Sequence, residues 1–312
     1  MASFDVERDG ILLPHQFTPT MHRELYPAVS PTNPKLSAAG KIVLVTGATR
    51  GIGKGIAISW AEAGAAGIVV TGRAEDLLVG VSEEIKKLSP NTKVLAIRSE
   101  ASSEDDTKNL WAKVNAEIGC IDVLICNAGV SSEQNGYPTT GNISPSLWWS
   151  DMDVNVRGTY LHIYSFLQQF ISIGKEPAGT VIIVSSGAAA MTSPGTSAYS
   201  ISKLAGIRLA EFLHAEHPGV RSFAYHPGMV VTQMNSGVFA KQSVDPLELA
   251  GGLSLYLSTP RADFLRGCYV SVNWDVEEME QHANEIIEKR LLHTAFINAK
   301  LSQEGHPFEG SS

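Results

Sequence analysis

Tyr199 and Lys203 stand four residues apart in Tyr199-Ser200-Ile201-Ser202-Lys203, thirteen positions beyond Ser186 and downstream of the apolar run Val181–Val184. On a helix, positions i and i+4 share a face, so the phenol and the ammonium can meet the same ligand. The chemistry this offers is proton transfer. A free tyrosine has a pKa near 10, a poor match for acid–base work at neutral pH. A neighbouring ammonium is expected to lower it by about 1–3 units, each worth about 1.4 kcal/mol. The pair alone decides little: 8 tyrosines and 13 lysines in 312 residues give a Tyr-x-x-x-Lys by chance about 0.33 times. Its setting must carry the argument.

A second constellation is Thr46-Gly47-Ala48-Thr49-Arg50-Gly51-Ile52-Gly53, placed between the apolar run Ile42–Val45 and a helical stretch. Glycines there permit a tight turn and let a pyrophosphate approach the amides of a helix N-terminus. Two related motifs are excluded. Ile56 stands where G-x-G-x-x-G needs its third glycine, and no Gly-Lys is followed by Ser or Thr as a Walker A loop requires. The spacing left is G-x-x-x-G-x-G, which alone also suits a plain turn between strand and helix.

Both constellations need a scaffold, and from Lys41 onward the chain supplies one. Candidate strands are Ile42–Val45, Ile68–Thr71, Val94–Ile97, Val123–Cys126, Val181–Val184, Val220–Ala224 and Cys268–Val272. Most lack polar–apolar alternation, which marks strands covered on both faces. Helical stretches lie near 52–64, 75–88, 103–118, 146–173, 198–216 and 246–258, with Ser102 and Asp105 as the expected N-cap pair of the third. This alternation predicts an α/β fold: a Rossmann-type doubly wound parallel sheet of about seven strands with helices on both faces. Residues 41–275 are expected to form that domain. Residues 1–40, broken by Pro14, Pro19, Pro27, Pro31 and Pro34, are expected to be an extended arm lying along it through Phe17, Leu25 and Tyr26. Residues 276–312 are expected to be a helical extension and tail, with Met279, Ile286, Leu291 and Phe296 on its packed face.

Composition narrows the function classes. Lys plus Arg is 24 against 32 for Asp plus Glu, a net charge of −8 without basic blocks, which argues against nucleic acid as the main partner. No apolar run reaches membrane-spanning length, and the first residues lack a signal-peptide pattern. Cys120, Cys126 and Cys268 form no C-x-x-C, which fits a reducing compartment and a cytoplasmic location. The 9 histidines include no H-E-x-x-H, so no metal is expected. His214 and His217 are expected as cations near a helix end and His226 as a structural residue. Trp148 and Trp149 are expected to pack in the core or at a rim. Asn142-Ile143-Ser144 is a sequon followed by Pro145, and is discounted as a glycosylation site.

Taken in order, these motifs resemble the short-chain dehydrogenase/reductase family in its single-domain, NADP(H)-preferring branch, over about residues 41–275. The resemblance implies that Ser186 polarises the substrate oxygen, with Ser185 as its non-catalytic neighbour. It implies that Tyr199 is the acid/base, that Lys203 supports it and bonds the nicotinamide ribose, and that Asn155, in Asn155-Val156-Arg157-Gly158, completes a proton relay through water. Gly47, Thr49, Arg50, Gly51, Ile52 and Gly53 are then the cofactor turn. Asn127-Ala128-Gly129 is the element passing beside the cofactor, with Cys126 where the family often has asparagine. Pro227, Gly228, Val230 and Thr232 match the stretch that holds the carboxamide, while Glu100 and Ala101 fall near the adenine. At the end of the second strand an acidic residue would favour NAD, but the chain has Gly72 and then Arg73. Arg73 and Arg50 suit a 2′-phosphate, so NADP(H) is the expected cofactor.

The implied activity is hydride transfer between NADP(H) and a carbonyl or secondary alcohol. An uncharged, fairly apolar ketone is the expected substrate, in a pocket framed by Ser131–Pro145, Gly187–Ser197 and Gln233–Val244. A homodimer through helices 146–173 and 198–216, extending to a tetramer if the C-terminal segment permits, is implied by the resemblance alone. Two rival functions share the site: an NADP(H)-binding sensor without turnover, and a relative whose main reaction is dehydration or cyclisation.

Overall fold

A computed structural model of the chain describes residues 6–134, 136–232 and 241–295. Its strands are β1 (Ile42–Val45), β2 (Gly67–Gly72), β3 (Lys93–Arg98), β4 (Val123–Cys126), β5 (Gly179–Val184), β6 (Val220–His226) and β7 (Tyr269–Ser271). All pair in parallel, in the order β3-β2-β1-β4-β5-β6-β7. The helices are α1 (Val6–Asp9), α2 (Gly51–Glu62), α3 (Glu75–Leu88), α4 (Glu104–Glu117), α5 (Pro145–Met152), α6 (Thr159–Ile171), α7 (Ser197–Glu216), α8 (Leu247–Leu257), α9 (Val276–Gln281) and α10 (Ala283–Lys289). The strands read as unbroken apolar runs because each face is buried. Val43, Val45, Ile68, Val70 and Ile125 join one core with α2, α3 and α8; Leu44, Val69, Leu124 and Val181 join another with α4, α6 and α7. The expected doubly wound sheet is therefore the fold. Strand order reverses between β1 and β4, and such a switch point opens a crevice beyond the carboxyl ends of the strands.

Several local expectations change. The single helix expected over 146–173 is two helices joined by a π-helical turn at Asp153–Gly158. The cap of α4 is Ser103, not Ser102: its hydroxyl accepts from the Asp106 amide at 3.1 Å, and Asp106 in turn accepts from the Glu100 amide at 2.8 Å. Both serines stand three residues before an aspartate, so spacing did not separate them. Phe17 and Tyr26 pack on the core as expected, whereas Leu25 is exposed. The C-terminal segment is two short helices that bury Met279 and Ile286; Leu291 is exposed and Leu292 takes the buried place. Phe296 lies outside the described residues, as do residues 233–240 of the expected pocket frame.

The start of α7 governs where Tyr199 sits. Thr196, its N-cap residue, makes no side-chain cap. The buried Glu133, from the loop after β4, does so from 64 residues away. Its carboxylate accepts from the Ser197 hydroxyl at 3.0 Å, the Ala198 amide at 3.1 Å and the Tyr199 amide at 3.2 Å. A negative charge here satisfies open donors and faces the positive end of the helix dipole. Replacing Glu133 with Ala leaves two buried amides unmatched and is expected to cost about 2–4 kcal/mol in urea unfolding. A loss below about 0.5 kcal/mol would show that the helix is capped by other means.

Candidate active site

β1 delivers the chain directly into the glycine turn, and β4 delivers Asn127-Ala128-Gly129 beside it. Thr46 and Asn127 lock the two together. The Thr46 hydroxyl accepts from the amides of Asn127 and Ala128, both at 2.9 Å, and the Asn127 side chain donates to the carbonyls of Thr46 (2.9 Å) and Gly47 (3.1 Å). Gly53 is required by that packing: a Cβ there would stand 2.3 Å from Asn127 Nδ2 and 2.5 Å from the Gly47 carbonyl. Arg50, at the N-cap of α2, makes no side-chain cap, so the first amides of α2 face the cleft.

That cleft runs from the glycine turn past Arg73, Glu100 and Ala101 to Gly129, Lys203 and Tyr199. Of the expected cofactor residues, Gly47, Thr49, Arg50, Gly51, Ile52 and Gly53 line it, as do Asn127, Ala128, Pro227 and Thr232. Gly228 lines the adjoining cavity instead, and the buried Val230 lines neither. A dinucleotide fits this donor set: open amides at a helix N-terminus, the glycines Gly47, Gly51 and Gly53 that leave room for it, and the cations Arg50 and Arg73. Arg73 is 65% exposed and lies 3.7 Å from Glu100, so the two residues expected near opposite parts of the adenosine end are partners here. Thr49 occupies the space beside Gly72, where a Cβ would meet its methyl at 2.6 Å.

β5 and α7 bring the proton-transfer residues together. Ser186 follows β5 and caps a short 3₁₀ turn, accepting from the Ala188 amide at 3.2 Å, and its hydroxyl lies near enough to the Tyr199 phenol to favour the phenolate. Lys203 Nζ donates to the Val184 carbonyl at 2.9 Å and lies 5.6 Å from the centre of the Tyr199 ring. Ser185 is buried and donates to the Lys203 carbonyl at 3.1 Å, holding α7 on β5. Asn155 sits on the π-helical turn. It accepts from the Val130 amide at 2.8 Å and donates to the Val130 carbonyl and the Ser202 hydroxyl, both at 2.9 Å. Both its amide protons are thus engaged by protein. Asn155 Oδ1 and Lys203 Nζ stand 3.2 and 3.1 Å from where a Cβ of Gly129 would be, which places them side by side.

The electrostatics differ from the expectation. Burial is the largest influence on Tyr199 and raises its pKa; the Ser186 hydroxyl opposes this, and the charge of Asp151 adds to it. Burial also brings Lys203 down to about 8, which leaves it mostly charged at neutral pH, and the desolvation of the phenol is the larger effect. Asp151 escaped the sequence analysis. It is fully buried one turn before Asn155, accepts from the Ser132 amide at 2.9 Å, and has its own pKa raised chiefly by burial. The four-residue spacing to Asn155 is the signal that would have found it. His226 is neutral, brought down to about 4 by burial, and its Nδ1 accepts from the Gly187 amide at 3.2 Å, which steadies the turn after Ser186. His214 is also pushed down, first by burial and then by Arg266 and Arg290, so the expected cation is a neutral ring. Burial raises the Cys126 thiol, which is packed and unreactive. Among the described residues no cluster could hold a metal.

Tyr199 also borders a second cavity, shared with Ser186, Met191, Met229, Tyr269 and Trp274. Comparison with known proteins agrees with this architecture. The profile of the short chain dehydrogenase family matches residues 41–243. The chain is 32% identical over 295 residues to the short chain dehydrogenase pigC of Monascus ruber, covering 91% of this chain and 94% of that one. It is 30% identical over 266 residues to the short chain dehydrogenase/reductase AacuD of Aspergillus aculeatus, covering 84% and 89%. A gluconate 5-dehydrogenase from Burkholderia cenocepacia, solved with NADP and tartrate, superposes with a TM-score of 0.68 at 22% identity, covering 79% and 97%. The chain belongs to the short-chain dehydrogenase/reductase family, oxidoreductases that work with a nicotinamide cofactor.

Proposed function

We propose that the protein is an NADP(H)-dependent ketoreductase, with residues 41–275 as its catalytic unit between the arm of 1–40 and the extension of 276–312. The observation that carries this is the position of Tyr199: its side chain borders both the dinucleotide-type cleft and the apolar cavity, which Ser186 lines with it. A nicotinamide cofactor held between the glycine turn and Lys203 would supply the hydride. Tyr199 gives its phenolic proton to the carbonyl oxygen, and Ser186 hydrogen-bonds that oxygen and fixes its orientation. Lys203, held on the Val184 carbonyl, presents its remaining protons toward the cleft and favours the phenolate that is left. Asn155 keeps the Gly129–Val130 backbone in place beside Lys203. With both its amide protons engaged, it serves a water relay only through its oxygen.

A phenol whose pKa is raised stays protonated through neutral pH, which suits the donor of a reduction. The reverse oxidation needs the phenolate and must speed up as pH rises. NADP(H) rather than NAD(H) is supported by Arg73 and Arg50 on the cleft and by Thr49, which blocks the place of an acidic side chain at 72. An uncharged substrate is supported by the cavity lining, which among the described residues includes no Asp, Glu, Lys or Arg. A homodimer is supported by the exposed Trp149, Tyr160 and Phe212 on α5, α6 and α7, a face that buries apolar surface only against another molecule. No described helix is long and apolar enough to cross a membrane, which accords with the proposed cytoplasmic location.

Following the loss of reduced-nicotinamide absorbance across a panel of ketones tests the reaction. Tyr199→Phe is expected to lower kcat by about 10²–10⁴ while leaving NADPH affinity within about twofold, with the wild-type reduction rate flat from pH 6 to 7.5. Retained turnover would remove Tyr199 from the mechanism, and binding of NADPH without oxidation would favour a sensor.

Cofactor choice is tested by Arg73→Ala, expected to weaken NADPH by about tenfold or more with NADH little changed. Equal losses would defeat the assignment. Light scattering should report a dimer that Phe212→Glu dissociates; a wild-type monomer overturns the pairing.

A further inference from the structure

The cavity beside Tyr199 has walls of two origins. Ser186, Met191 and Met229 belong to the stretch that matches the family profile, residues 41–243. Ile11, Leu12 and His15 come from the N-terminal arm, and Tyr269 and Trp274 from the end of the sheet, all outside that stretch. The cavity is thus built partly from the region of the family profile and partly from segments outside that profile. We infer that the arm, through Ile11 and Leu12, is a specificity-determining wall of the substrate site, and that it selects neutral ketones carrying an apolar body of aromatic size. This rests on the ketoreductase reading and extends it to the class of substrate.

The arm is fixed there by groups that leave little freedom to withdraw. The Trp274 indole donates to the His15 carbonyl at 3.0 Å, and Met21 bridges to Trp274 in antiparallel fashion. The His22 amide donates to the Asn273 carbonyl at 2.9 Å, and the Asn273 side chain returns a bond to the His22 carbonyl at 2.9 Å. Deeper, Arg23 lies buried between Asp9 at 2.7 Å and Asp245 at 2.5 Å. The second oxygen of Asp245 accepts from the Met229 amide at 2.6 Å. One line of buried charge therefore joins the arm to the loop that follows β6, which lines the same cavity. Moving the arm would take Arg23 away from the buried Asp245 carboxylate and leave it unpaired out of water, so the arm acts as a standing wall and not a swinging lid. Leu12 is itself only 7% exposed, as befits a side chain turned inward. Aliphatic side chains from the arm and aromatic rings from residues 269 and 274 then line one space that, among the described residues, holds no Asp, Glu, Lys or Arg.

The test uses the full chain loaded with NADP(H) and two ketones of different bulk, butan-2-one and 2-acetylnaphthalene. Leu12→Trp, which fills the cavity, is expected to lower the ratio of kcat/KM for 2-acetylnaphthalene over butan-2-one by about tenfold or more, and Leu12→Ala to leave it equal or higher. A ratio unchanged by Leu12→Trp overturns the inference. Fluorescence titration of 2-acetylnaphthalene into the NADP⁺-loaded protein reads the wall without any chemistry. Weaker binding to Leu12→Trp supports the arm's role even if no ketone is reduced, a result that would instead overturn the ketoreductase reading. Binding that Leu12→Trp leaves intact, or no binding to the wild-type chain, overturns the inference. NADPH titration of each variant, with Leu12→Phe as the milder change, shows that the fold and cleft are retained.

Discussion

The contact on which the site depends is the hydrogen bond from the Lys203 ammonium to the Val184 carbonyl. It ties the middle of the first turns of α7 to the last residue of β5, and Ser185 adds a second tie by donating to the Lys203 carbonyl. Once α7 is fixed against the end of that strand, Tyr199 must lie one turn back toward the helix start, over Ser186. The helix start is fixed separately by Glu133, from the loop after β4. Two neighbouring strands of one sheet thus hold the same helix at two points. Because β4 and β5 pair in register, from Val123 opposite Thr180 to Cys126 opposite Ile183, these two anchors cannot drift relative to each other.

Much of this was legible in the residues. The glycine turn, Asn127, Asn155, Ser186, Tyr199 and Lys203 fall where spacing and resemblance put them, because each lies at the end of a strand or on a strongly patterned helix. The features that escaped share a different character. The π-helical turn at Asn155 leaves no mark in an apolar period that continues across it. Glu133 meets α7 only through the tertiary fold, and nothing near Glu133 in sequence points to Ser197. The wall supplied by Ile11 and Leu12 was hidden for the same reason: prolines reveal an arm, not what the arm lies against.

Burial also reversed an argument about charge. The expectation treated Lys203 as a full cation beside a phenol with its ordinary affinity for the proton. In the folded chain both groups are taken out of water, and desolvation favours the neutral form of each: the phenol holds its proton more tightly and the lysine less. Asp151, buried beneath them, adds negative potential that raises both. The acid form of Tyr199 is thereby stabilised by burial and by Asp151, while Ser186 eases loss of the proton. A protonated phenol is the form that donates in a ketone reduction, which accords with the proposed direction.

The same reasoning links the arm to the chemistry. An apolar body filling the space between Leu12 and Trp274 keeps water away from the phenol, and a dry site strengthens the hydrogen bonds that orient the carbonyl. Ile11 and Leu12 supply part of the wall that encloses that space. The buried line Asp9, Arg23 and Asp245 then has a second consequence besides anchoring. By holding the Met229 amide, Asp245 sets the path of the loop between Pro227 and Thr232, which borders both the cleft and the cavity. Arm, substrate space and cofactor cleft therefore share one set of buried charges, and a change at Arg23 must reach all three.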